Sequence, residues 1–464
     1  MDAAIPEASG LRAGWSGISL VPENLEAFAL RVRSARAATT SLDLLYYAWH
    51  EDATGRALMR EVLHAADRGV RVRLLLDDLY VREAERGLAA LDAHPRIEVR
   101  LFNPFRLRRC GALGQAAEFL VARYRLNHRM HNKAWIADGS LAIGGGRNIG
   151  DEYFDASSQF NFRDLDLVMT GGAVAGAAAA FERYWASTRV RPLAEVAAAA
   201  GDGLDALRAR LDEAADDILD PGYRQRLAAL PALDDLVHAG RVAVPDGAIR
   251  VVADPPEKGR LRRRLPGVLD AIAAAMEGAA AGPDHFPLLR AGAARGAPAG
   301  RAGAPGVRVS VLTNSLAATD VLAVHGGYAR YRRPLLRAGI AMHELKQGGQ
   351  EGGSLLGSGS ASLHTKALVV DDDLVFVGSF NLDPRSAYLN TEMGAFVRHP
   401  TPAAELAEEF ARLTDPARSW SVRLAGPGLV WQDGERELRH EPGASLGRRV
   451  LARILGWLPI ETHL

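Results

Sequence analysis

The chain has 464 residues, is 48% hydrophobic and carries 56 basic against 56 acidic residues. This length accommodates two or three domains, and the balanced charge argues against a dedicated nucleic-acid-binding protein. A single cysteine, Cys110, excludes an internal disulfide framework and a cysteine-based metal site. The N-terminal stretch lacks the basic start and apolar run of a secretory signal, and no apolar run is long enough to predict a membrane-spanning helix.

Helix and strand patterns alternate at the start of the chain. Helical patterns at 22–38 and 53–68 flank apolar, strand-like stretches at 41–49 and 70–77. A strand–helix–strand order of this kind predicts a parallel strand pair with a right-handed crossover.

A similar order returns in the second half. The sequence predicts a strand at 307–313, a helix at 317–338 and a short strand at 340–345. The segment 278–306 is dominated by Ala, Gly and Pro without any period, and it predicts an irregular loop.

The predicted fold is therefore α/β, with two similar lobes that each contain a mostly parallel or mixed sheet flanked by helices. We predict an N-terminal lobe at 1–200, a helical or linker region at 201–277, the low-complexity loop at 278–306, a C-terminal lobe at 307–430 and an amphipathic tail at 431–464.

One short pattern occurs in both lobes. Residues 131–148 read HNKAWIADGSLAIGGGRN, and residues 364–381 read HTKALVVDDDLVFVGSFN. Each copy has a His, a Lys two positions later, an Asp five positions after the Lys and, after six more residues, a small pair, one variable residue and an Asn. The apolar stretches around each Asp predict a hairpin, and the alternation of side chains along a strand places the His and Lys on one face.

A histidine beside a lysine suits an anion, because the ammonium opposes a second positive charge on the imidazole. A phosphodiester fits if the two copies meet across a pseudo-twofold axis at the interface of the lobes. One imidazole then attacks phosphorus and the other acts as general acid and base, while the lysines and asparagines bind the non-bridging oxygens. The same lysines disfavour a metal cation, so we expect neither a metal nor another cofactor.

The doubled pattern HxKx4Dx6GSxN resembles the phospholipase D superfamily. The stretches DLLYYAWHEDATGRAL, RMHNKAWIADGSLAIGGGRNIGDEYF, LTNSLAATDVLAVHGGYARYRRPLL and VGSFNLDPRSAYLNTEMG resemble bacterial cardiolipin synthases of the class thought to pair phosphatidylglycerol with phosphatidylethanolamine. This resemblance covers nearly the whole chain. It implies phospholipid substrates, a covalent phosphohistidine intermediate and a cytoplasmic protein that associates peripherally with the inner membrane. It also implies a strand before 307–313 that matches 41–49, and in this sequence 278–306 stands in its place.

The resemblance also implies a set of catalytic residues by position, namely His131, Lys133, Asn148, His364, Lys366, Ser379 and Asn381. An acidic residue downstream of each motif is expected to orient an imidazole. We expect Asp164 to serve His131, with Asp166 as the fallback, and Glu392 to serve His364. We further expect His131 to be the nucleophile and His364 the acid and base, with the reverse assignment left open.

Two positions in the motifs need separate treatment. The motif aspartates, Asp138 and Asp371, follow four strand residues, and we expect them to brace the turns rather than touch phosphate. Gly146 stands in the first copy where the pattern has Ser, so that half offers one hydroxyl fewer.

Some further residues are candidates for binding substrate. His325, Tyr328 and Tyr331 recur at a spacing of three on a predicted helix, where they either pack in the core or line a headgroup pocket. Arg385 follows the second motif closely and is a candidate to bind a second phosphate.

Two basic segments suggest contact with a membrane. The run KGRLRRR at 258–264 is either a solvated charge run or a contact for anionic lipid. The segment 446–459 alternates arginines with apolar residues, so it either lies in a membrane interface or closes the domain as a packed helix.

We therefore expect a phosphatidyltransferase that makes cardiolipin from phosphatidylglycerol and a second phospholipid. A phospholipase D that uses water as the acceptor is the first alternative. A phosphodiesterase acting on nucleic acid is disfavoured by the balanced charge, and no nucleic-acid partner is expected. An inactive lipid-binding scaffold is a further alternative, and the oligomeric state stays open.

Overall fold

A computed structural model of the chain describes residues 11–197, 203–213, 219–258, 266–277, 308–319, 321–347 and 361–457. The predicted loop at 278–306 and all of the basic run 258–264 except Lys258 lie outside these residues.

The strands of the described residues are, in chain order, β1 (Trp15–Val21), β2 (Ser41–Tyr46), β3 (Arg71–Asp77), β4 (Ile97–Phe102), β5 (Ala134–Ala137), β6 (Leu141–Gly145), β7 (Asn161–Arg163), β8 (Asp166–Gly171), β9 (Val190–Pro192), β10 (Val242–Pro245), β11 (Ile249–Ala253), β12 (Ser310–Asn314), β13 (Ala341–Leu345), β14 (Ala361–Leu363), β15 (Ala367–Val370), β16 (Leu374–Gly378), β17 (Met393–Arg398), β18 (Ser419–Ala425), β19 (Gly428–Gln432) and β20 (Glu437–Leu438).

The α-helices of the same residues are α1 (Asn24–Ala37), α2 (Ala53–Asp67), α3 (Glu85–Asp92), α4 (Gly111–Leu126), α5 (Ala173–Trp185), α6 (Leu193–Val196), α7 (Leu204–Glu213), α8 (Pro221–Ala229), α9 (Leu233–His238), α10 (Val268–Glu277), α11 (Leu322–Ala329), α12 (Arg332–Arg337), α13 (Pro384–Tyr388), α14 (Pro400–Thr414) and α15 (Leu446–Trp457). None of them is both long and apolar enough to cross a bilayer.

The first lobe is built on one mixed sheet with the strand order β10-β1-β8-β6-β5-β2-β3-β4-β9. Strands β2 and β3 pair in parallel, as the strand–helix–strand pattern predicts. Their connection, α2, begins after Asp52, whose side chain accepts a hydrogen bond from Gly55 N and so caps the helix. Strands β5 and β6 pair antiparallel and form the predicted hairpin of the first motif.

The second lobe repeats part of this arrangement. Strands β12 and β13 pair in parallel, and β15 and β16 form the second hairpin, as predicted. The single helix predicted for 317–338 is wrong, because the structure has two short helices, α11 and α12. Pro334 lacks an N–H and its ring crowds the preceding turn, so one continuous helix cannot run through this region.

The sheet of the second lobe is divided in the described residues. One part has the order β11-β17-β16-β15 and the other β12-β13-β18-β19-β20. In the first lobe, β2 lies between β5 and β3. In the second lobe, β15 corresponds to β5 and β12 corresponds to β3, and among the described residues each is an edge strand with no strand between them. The segment expected to match β2 is 278–306, outside the described residues.

The segment 201–277 contributes to both lobes. After α7, α8 and α9, strand β10 pairs with β1 in the first sheet, and β11 then pairs with β17 in the second lobe. The chain therefore passes from one lobe to the other between Pro245 and Ile249.

The two lobes share one buried core. Ile136 and Met169 of the first sheet belong to the same apolar cluster as Val375 and Val397 of the second, with residues of α5 and α14 completing it. Because this cluster is continuous, it holds the two motifs in a fixed relation to each other.

Candidate active site

The two motif histidines occupy equivalent places, each immediately before the first strand of its hairpin. His131 and Lys133 precede β5, and His364 and Lys366 precede β15. The histidines are each 7% exposed, and both lysines are buried more deeply. Each His–Lys pair therefore lies on the segment that leads into the first strand of its hairpin, and each imidazole is almost fully buried.

Backbone pairing joins each motif to the opposite lobe. His131 N donates to Thr391 O at 2.9 Å, and Thr391 N donates to Arg129 O at 2.9 Å. In the other half, β14 pairs in parallel with β7, and His364 N donates to Arg163 O at 2.8 Å. Each histidine is thus aligned beside a residue that directly precedes the acidic residue of the other lobe.

The acidic partners are consequently crossed between lobes. His131 Nδ1 lies 2.9 Å from Glu392 Oε2, and His364 Nδ1 lies 2.5 Å from Asp164 Oδ2. The prediction that Asp164 serves His131 and Glu392 serves His364 is therefore wrong. The physical reason is the parallel backbone pairing, which places each carboxylate against the imidazole of the opposite half.

The fallback residue for His131 has a different role. Asp166 Oδ2 forms buried ion pairs with Arg31 at 2.9 Å and with Arg147 at 3.3 Å. This carboxylate therefore neutralises two core arginines rather than orienting a motif histidine.

Charges from both lobes act on His131. Burial is the main cause that lowers the pKa of His131 to about 4; Lys133 and Lys366 act in the same direction, and Glu392 opposes them. Charged groups of both motifs thus act on this imidazole. An imidazole with this pKa is neutral at physiological pH, which is the form that a nucleophile requires.

The lysines lie beside the carbonyl groups of their own histidines. Lys133 Nζ donates to His131 O at 2.7 Å, and Lys366 Nζ donates to His364 O. Burial holds the pKa of Lys133 well below its usual value, Glu392 opposes this shift, and the second ammonium, Lys366, adds to it. An anion between the two ammonium groups would favour their charged forms.

The carboxylates are held in their charged forms. Burial raises the pKa of Asp164, but His364 and Lys366 outweigh this effect and hold the pKa well below its usual range. Burial likewise raises the pKa of Glu392, and His131 and Lys133 lower it below the usual value. Within the described ranges, no group of three His, Cys, Asp or Glu side chains is arranged to hold a metal ion.

The two asparagines are held differently. Asn148 Oδ1 accepts from Ala48 N at 3.3 Å, and its Nδ2 donates to the Tyr153 hydroxyl at 3.0 Å. Asn381 is half-buried, and its Oδ1 has no hydrogen-bond partner in the described part of the chain. The first carboxamide is therefore fixed by protein contacts, and the second retains an unused acceptor.

The Ser-to-Gly difference between the motifs has a steric reason. Ser379 Oγ donates to Glu392 Oε2 and accepts from Met393 N at 3.0 Å. At Gly146, an added Cβ would lie 2.3 Å from Asp164 Oδ1. Asp164 is one methylene shorter than Glu392, and its carboxylate occupies the space that a serine side chain would need.

The motif aspartates both lie at hairpin turns with a left-handed backbone, at φ 51° for Asp138 and 52° for Asp371. Asp138 accepts from the backbone N–H groups of Thr39, Thr40 and Ser41, each at 2.8 Å. Burial raises the pKa of Asp138, but these hydrogen bonds lower it below the usual value. These contacts support the expectation that Asp138 braces its turn.

Aromatic rings flank both histidines, and the sequence analysis did not single these residues out. The Tyr47 ring lies 4.9 Å from that of His131, while Tyr153 and Phe162 lie 5.3 and 4.8 Å from His364. Tyr47 follows β2 in LLYYAW, so its position at a strand end was an available signal. No spacing rule connects Phe162 with His364, because β7 meets the second motif only through tertiary pairing.

Two buried aspartates fix the backbone around His131 and were also missed. Asp77 Oδ2 accepts from Met130 N at 2.8 Å. Asp254 Oδ2 accepts from Glu392 N at 2.9 Å and from Lys258 Nζ at 2.6 Å. Lys258 is the first residue of the basic run, and its ammonium is thus used inside the protein.

The weaker substrate-binding candidates lie in other surroundings. The Tyr328 hydroxyl donates to Glu344 Oε1 at 2.9 Å, and His325 Nε2 lies 2.9 Å from Arg332 Nη2. These buried contacts favour core packing for Tyr328 and His325.

Substrate binding by Tyr331 and Arg385 stays a prediction. Tyr331 lies at the junction of α11 and α12. Arg385 Nη1 donates to Asn127 Oδ1 at 2.8 Å, and a role for Arg385 in binding phosphate remains untested.

Comparisons with known proteins show the family of the chain. The sequence matches the family described as "Cardiolipin synthase, PLD-like domain" over residues 32–185 and 300–414. It is 39% identical to cardiolipin synthase C of Escherichia coli, over 97% of this chain and 96% of that protein. It is 24% identical to a cardiolipin synthase of Halalkalibacterium halodurans, over 84% of this chain and 64% of that protein.

A solved structure shows the same fold. The chain aligns with a phosphatidylserine synthase of Haemophilus influenzae at a TM-score of 0.60 and 12% identity, over 96% of this chain and 94% of the other. Together with the family match over both lobes, this likeness accounts for the paired α/β architecture. The chain therefore belongs to the cardiolipin synthase family of phospholipase D-like proteins.

Proposed function

We propose that this phosphatidyltransferase of the phospholipase D superfamily makes cardiolipin from phosphatidylglycerol and a second phospholipid, phosphatidylethanolamine. The observation that carries the proposal is the crossed pairing of the two histidines with carboxylates of opposite lobes, which supports a single site acting on one phosphodiester. The similarity to named cardiolipin synthases supports the choice of lipid products.

In the first step, His131 attacks the phosphorus of phosphatidylethanolamine. Its Nδ1 is engaged by Glu392, so Nε2 is the nitrogen that forms the bond to phosphorus. The bond from phosphorus to the ethanolamine oxygen breaks, and His364 donates a proton to the departing alkoxide. The products of this step are ethanolamine and a phosphatidyl group held covalently on His131.

In the second step, the acceptor is the free terminal hydroxyl of phosphatidylglycerol. His364 removes the hydroxyl proton, and the oxygen attacks phosphorus while the bond to His131 breaks. This sequence returns both imidazoles to their starting protonation states. The pKa of His131 near 4 supports its use as the nucleophile, because the ring is uncharged before attack.

Negative charge on the phosphate is offset by groups from both lobes. Lys133 and Lys366 supply the positive charge, and the unused Oδ1 of Asn381 can accept a hydrogen bond from a hydroxyl or ammonium group of the substrate. Because the two lysines are buried and already fixed, they need little reorganisation as charge develops.

We also propose a peripheral position on the cytoplasmic face of the inner membrane. Helix α4 exposes Leu113, Leu120 and Val121, the last of them 90% exposed, and it leads directly into the first motif. Exposed apolar side chains on a helix of this kind suit the surface of a bilayer.

The test is to incubate purified protein with vesicles of phosphatidylglycerol, with and without phosphatidylethanolamine, and to identify the lipids and released headgroups by mass spectrometry. Chelator is included so that contaminating metal does not contribute. We expect cardiolipin and free ethanolamine from the mixed vesicles. Phosphatidic acid alone would replace the proposal with hydrolysis, and vesicle binding without turnover would replace it with a scaffold role. Equal cardiolipin formation without phosphatidylethanolamine would overturn the choice of donor.

A further inference from the structure

A cavity lies between α11, β19 and α15. Its volume is about 450 Å³, and none of its lining residues belongs to either motif. We propose that this α15 cavity binds an anionic phospholipid, with the phosphate held by arginines and an acyl chain lying against α15. The residues that carry this proposal are Arg333, Arg439, Arg449, Arg453, Leu446 and Val450.

The cavity has a strong excess of positive charge. Its lining includes six arginines and two histidines, and Glu441 is the only acidic lining residue. Glu441 is already paired, because Arg332 Nη1 donates to its Oε1 at 2.5 Å. Burial raises the pKa of Glu441, but Arg332 and His325 reverse this effect and hold the pKa at about 2, so the carboxylate stays charged.

Other arginines of the cavity are not neutralised in this way. In the described part of the chain, no carboxylate oxygen lies within 4.0 Å of the side-chain nitrogens of Arg333, Arg439, Arg449 or Arg453. The Nε of Arg449 is buried and has no hydrogen-bond partner among the same residues. Guanidinium groups with unused donors are suited to a phosphate, which accepts several hydrogen bonds at once.

Helix α15 also gives the cavity an apolar wall. Leu446 and Val450 are separated by one helical turn, as are Arg449 and Arg453, and all four residues line the cavity. Leu446 is 70% exposed, and Leu451 and Ile454 are exposed on the same helix. A wall that combines guanidinium groups with unburied aliphatic groups matches an amphiphile better than a fully water-soluble anion.

The described part of the C-terminal segment, α15, packs on the second lobe. Ala452 is buried and α15 packs on α11, so the helix closes the domain. Arg448 Nη2 also donates to Leu316 O at 3.0 Å and Thr319 O at 3.1 Å, which fixes the start of α15 near the end of β12. A packed helix with an exposed apolar flank provides a preformed binding surface.

The experiment measures binding rather than turnover, so its result is independent of the proposed function. Full-length protein carrying His131→Ala is titrated by calorimetry with monomeric short-chain phosphatidylglycerol, with inorganic phosphate and with short-chain phosphatidylcholine. Arg449→Gln/Arg453→Gln is compared with Arg337→Gln/Arg423→Gln, which removes the same charge from exposed positions outside the cavity. Because every variant retains the same motif site, differences in affinity report on the cavity.

We expect Arg449→Gln/Arg453→Gln to weaken binding of phosphatidylglycerol about tenfold or more, and the control pair to change it less than about twofold. Val450→Glu, at a side chain that is 47% exposed, should weaken binding similarly by repelling the anion. Phosphatidylcholine should bind more weakly than phosphatidylglycerol. Equal affinities in the cavity and control variants would overturn the proposal, and binding of inorganic phosphate as tightly as the lipid would overturn the lipid assignment.

Discussion

The two halves of the active site have the same plan but differ in how each carboxylate is accommodated. The first half carries Asp164 beside Gly146, and the second carries Glu392 beside Ser379. Each carboxylate lies against the Gly or Ser of its own lobe, but it hydrogen-bonds the motif histidine of the opposite lobe. Neither lobe supplies the carboxylate that hydrogen-bonds its own histidine. Both lobes are therefore needed to complete either histidine–carboxylate pair.

The environments of the histidines differ as well. His131 packs against Tyr47, whose ring also lies 5.3 Å from Lys133 Nζ, whereas His364 packs against Tyr153 and Phe162. These unequal surroundings give a physical basis for unequal roles in a pseudo-symmetric site.

The largest expected effect comes from removing either imidazole. His131→Ala and His364→Ala should each lower the rate of cardiolipin formation by about 10³-fold or more, because one loses the nucleophile and the other the acid and base. Product analysis by mass spectrometry measures the loss. His64→Ala, on the partly exposed side of α2, is the matched control. Substantial activity in either motif variant would contradict the paired roles.

Removing a crossed carboxylate should have the next largest effect. Asp164→Asn and Glu392→Gln keep the shape of each side chain but weaken the orientation of His364 and His131, respectively. We expect losses of roughly 10² to 10⁴-fold in kcat, as for the loss of an orienting carboxylate in other histidine catalysts. Asp138→Asn, which alters a turn, is a suitable control for folding, and its kcat should change far less. Wild-type kcat in both site variants would remove the crossed pairing from the mechanism.

Substitutions at Gly146 and Ser379 should affect the two halves of the site differently. Gly146→Ser forces a Cβ against Asp164 and should destabilise the fold by about 1–3 kcal/mol through overpacking. Ser379→Ala adds no volume and removes the hydrogen bond to Glu392, so it should lower kcat by roughly 10–100-fold with a smaller change in stability. Thermal unfolding and kinetics on both variants measure these effects. Equal stability losses would mean that the halves are sterically equivalent.

The smallest effect is a displacement of the pH profile. Activity requires neutral His131, so kcat/KM should persist above pH 4 and fall as the pH drops through about 4. Glu392 favours the charged imidazole, so Glu392→Gln should move this acidic limb to lower pH, whereas Lys133→Gln should move it to higher pH. Asp164→Asn should leave the acidic limb nearly in place. Opposite displacements, measured on a soluble phosphodiester, would contradict the assignment of partners.

The sequence is sufficient to predict the strands around both motifs and to identify the motif residues themselves. The strand–helix–strand order predicts the parallel pairs β2–β3 and β12–β13, because local patterns determine these elements. It does not predict the crossed carboxylates. Asp164 and Glu392 are each nearest in sequence to the wrong histidine, and only the pairing of β14 with β7 and of Met130 with Thr391 reverses this order.

The remaining differences have similar causes. The helix predicted for 317–338 failed because apolar periodicity was weighed above the backbone constraint at Pro334. The sequence does not predict the α15 cavity, because its arginines come from the end of the α11 segment, from α12, from α15 and from the residue after β20, which meet only in the folded chain.

The most direct test of the shared site is a burst experiment on His364→Ala with a phosphatidyl ester of p-nitrophenol. This leaving group needs no proton from His364, so His131 should still form the covalent intermediate, which then persists because the acceptor is not activated. We predict a rapid burst of one nitrophenolate per active chain, with the phosphatidyl group mapped by mass spectrometry to the peptide containing His131. No burst, or a label elsewhere in the chain, would contradict the account.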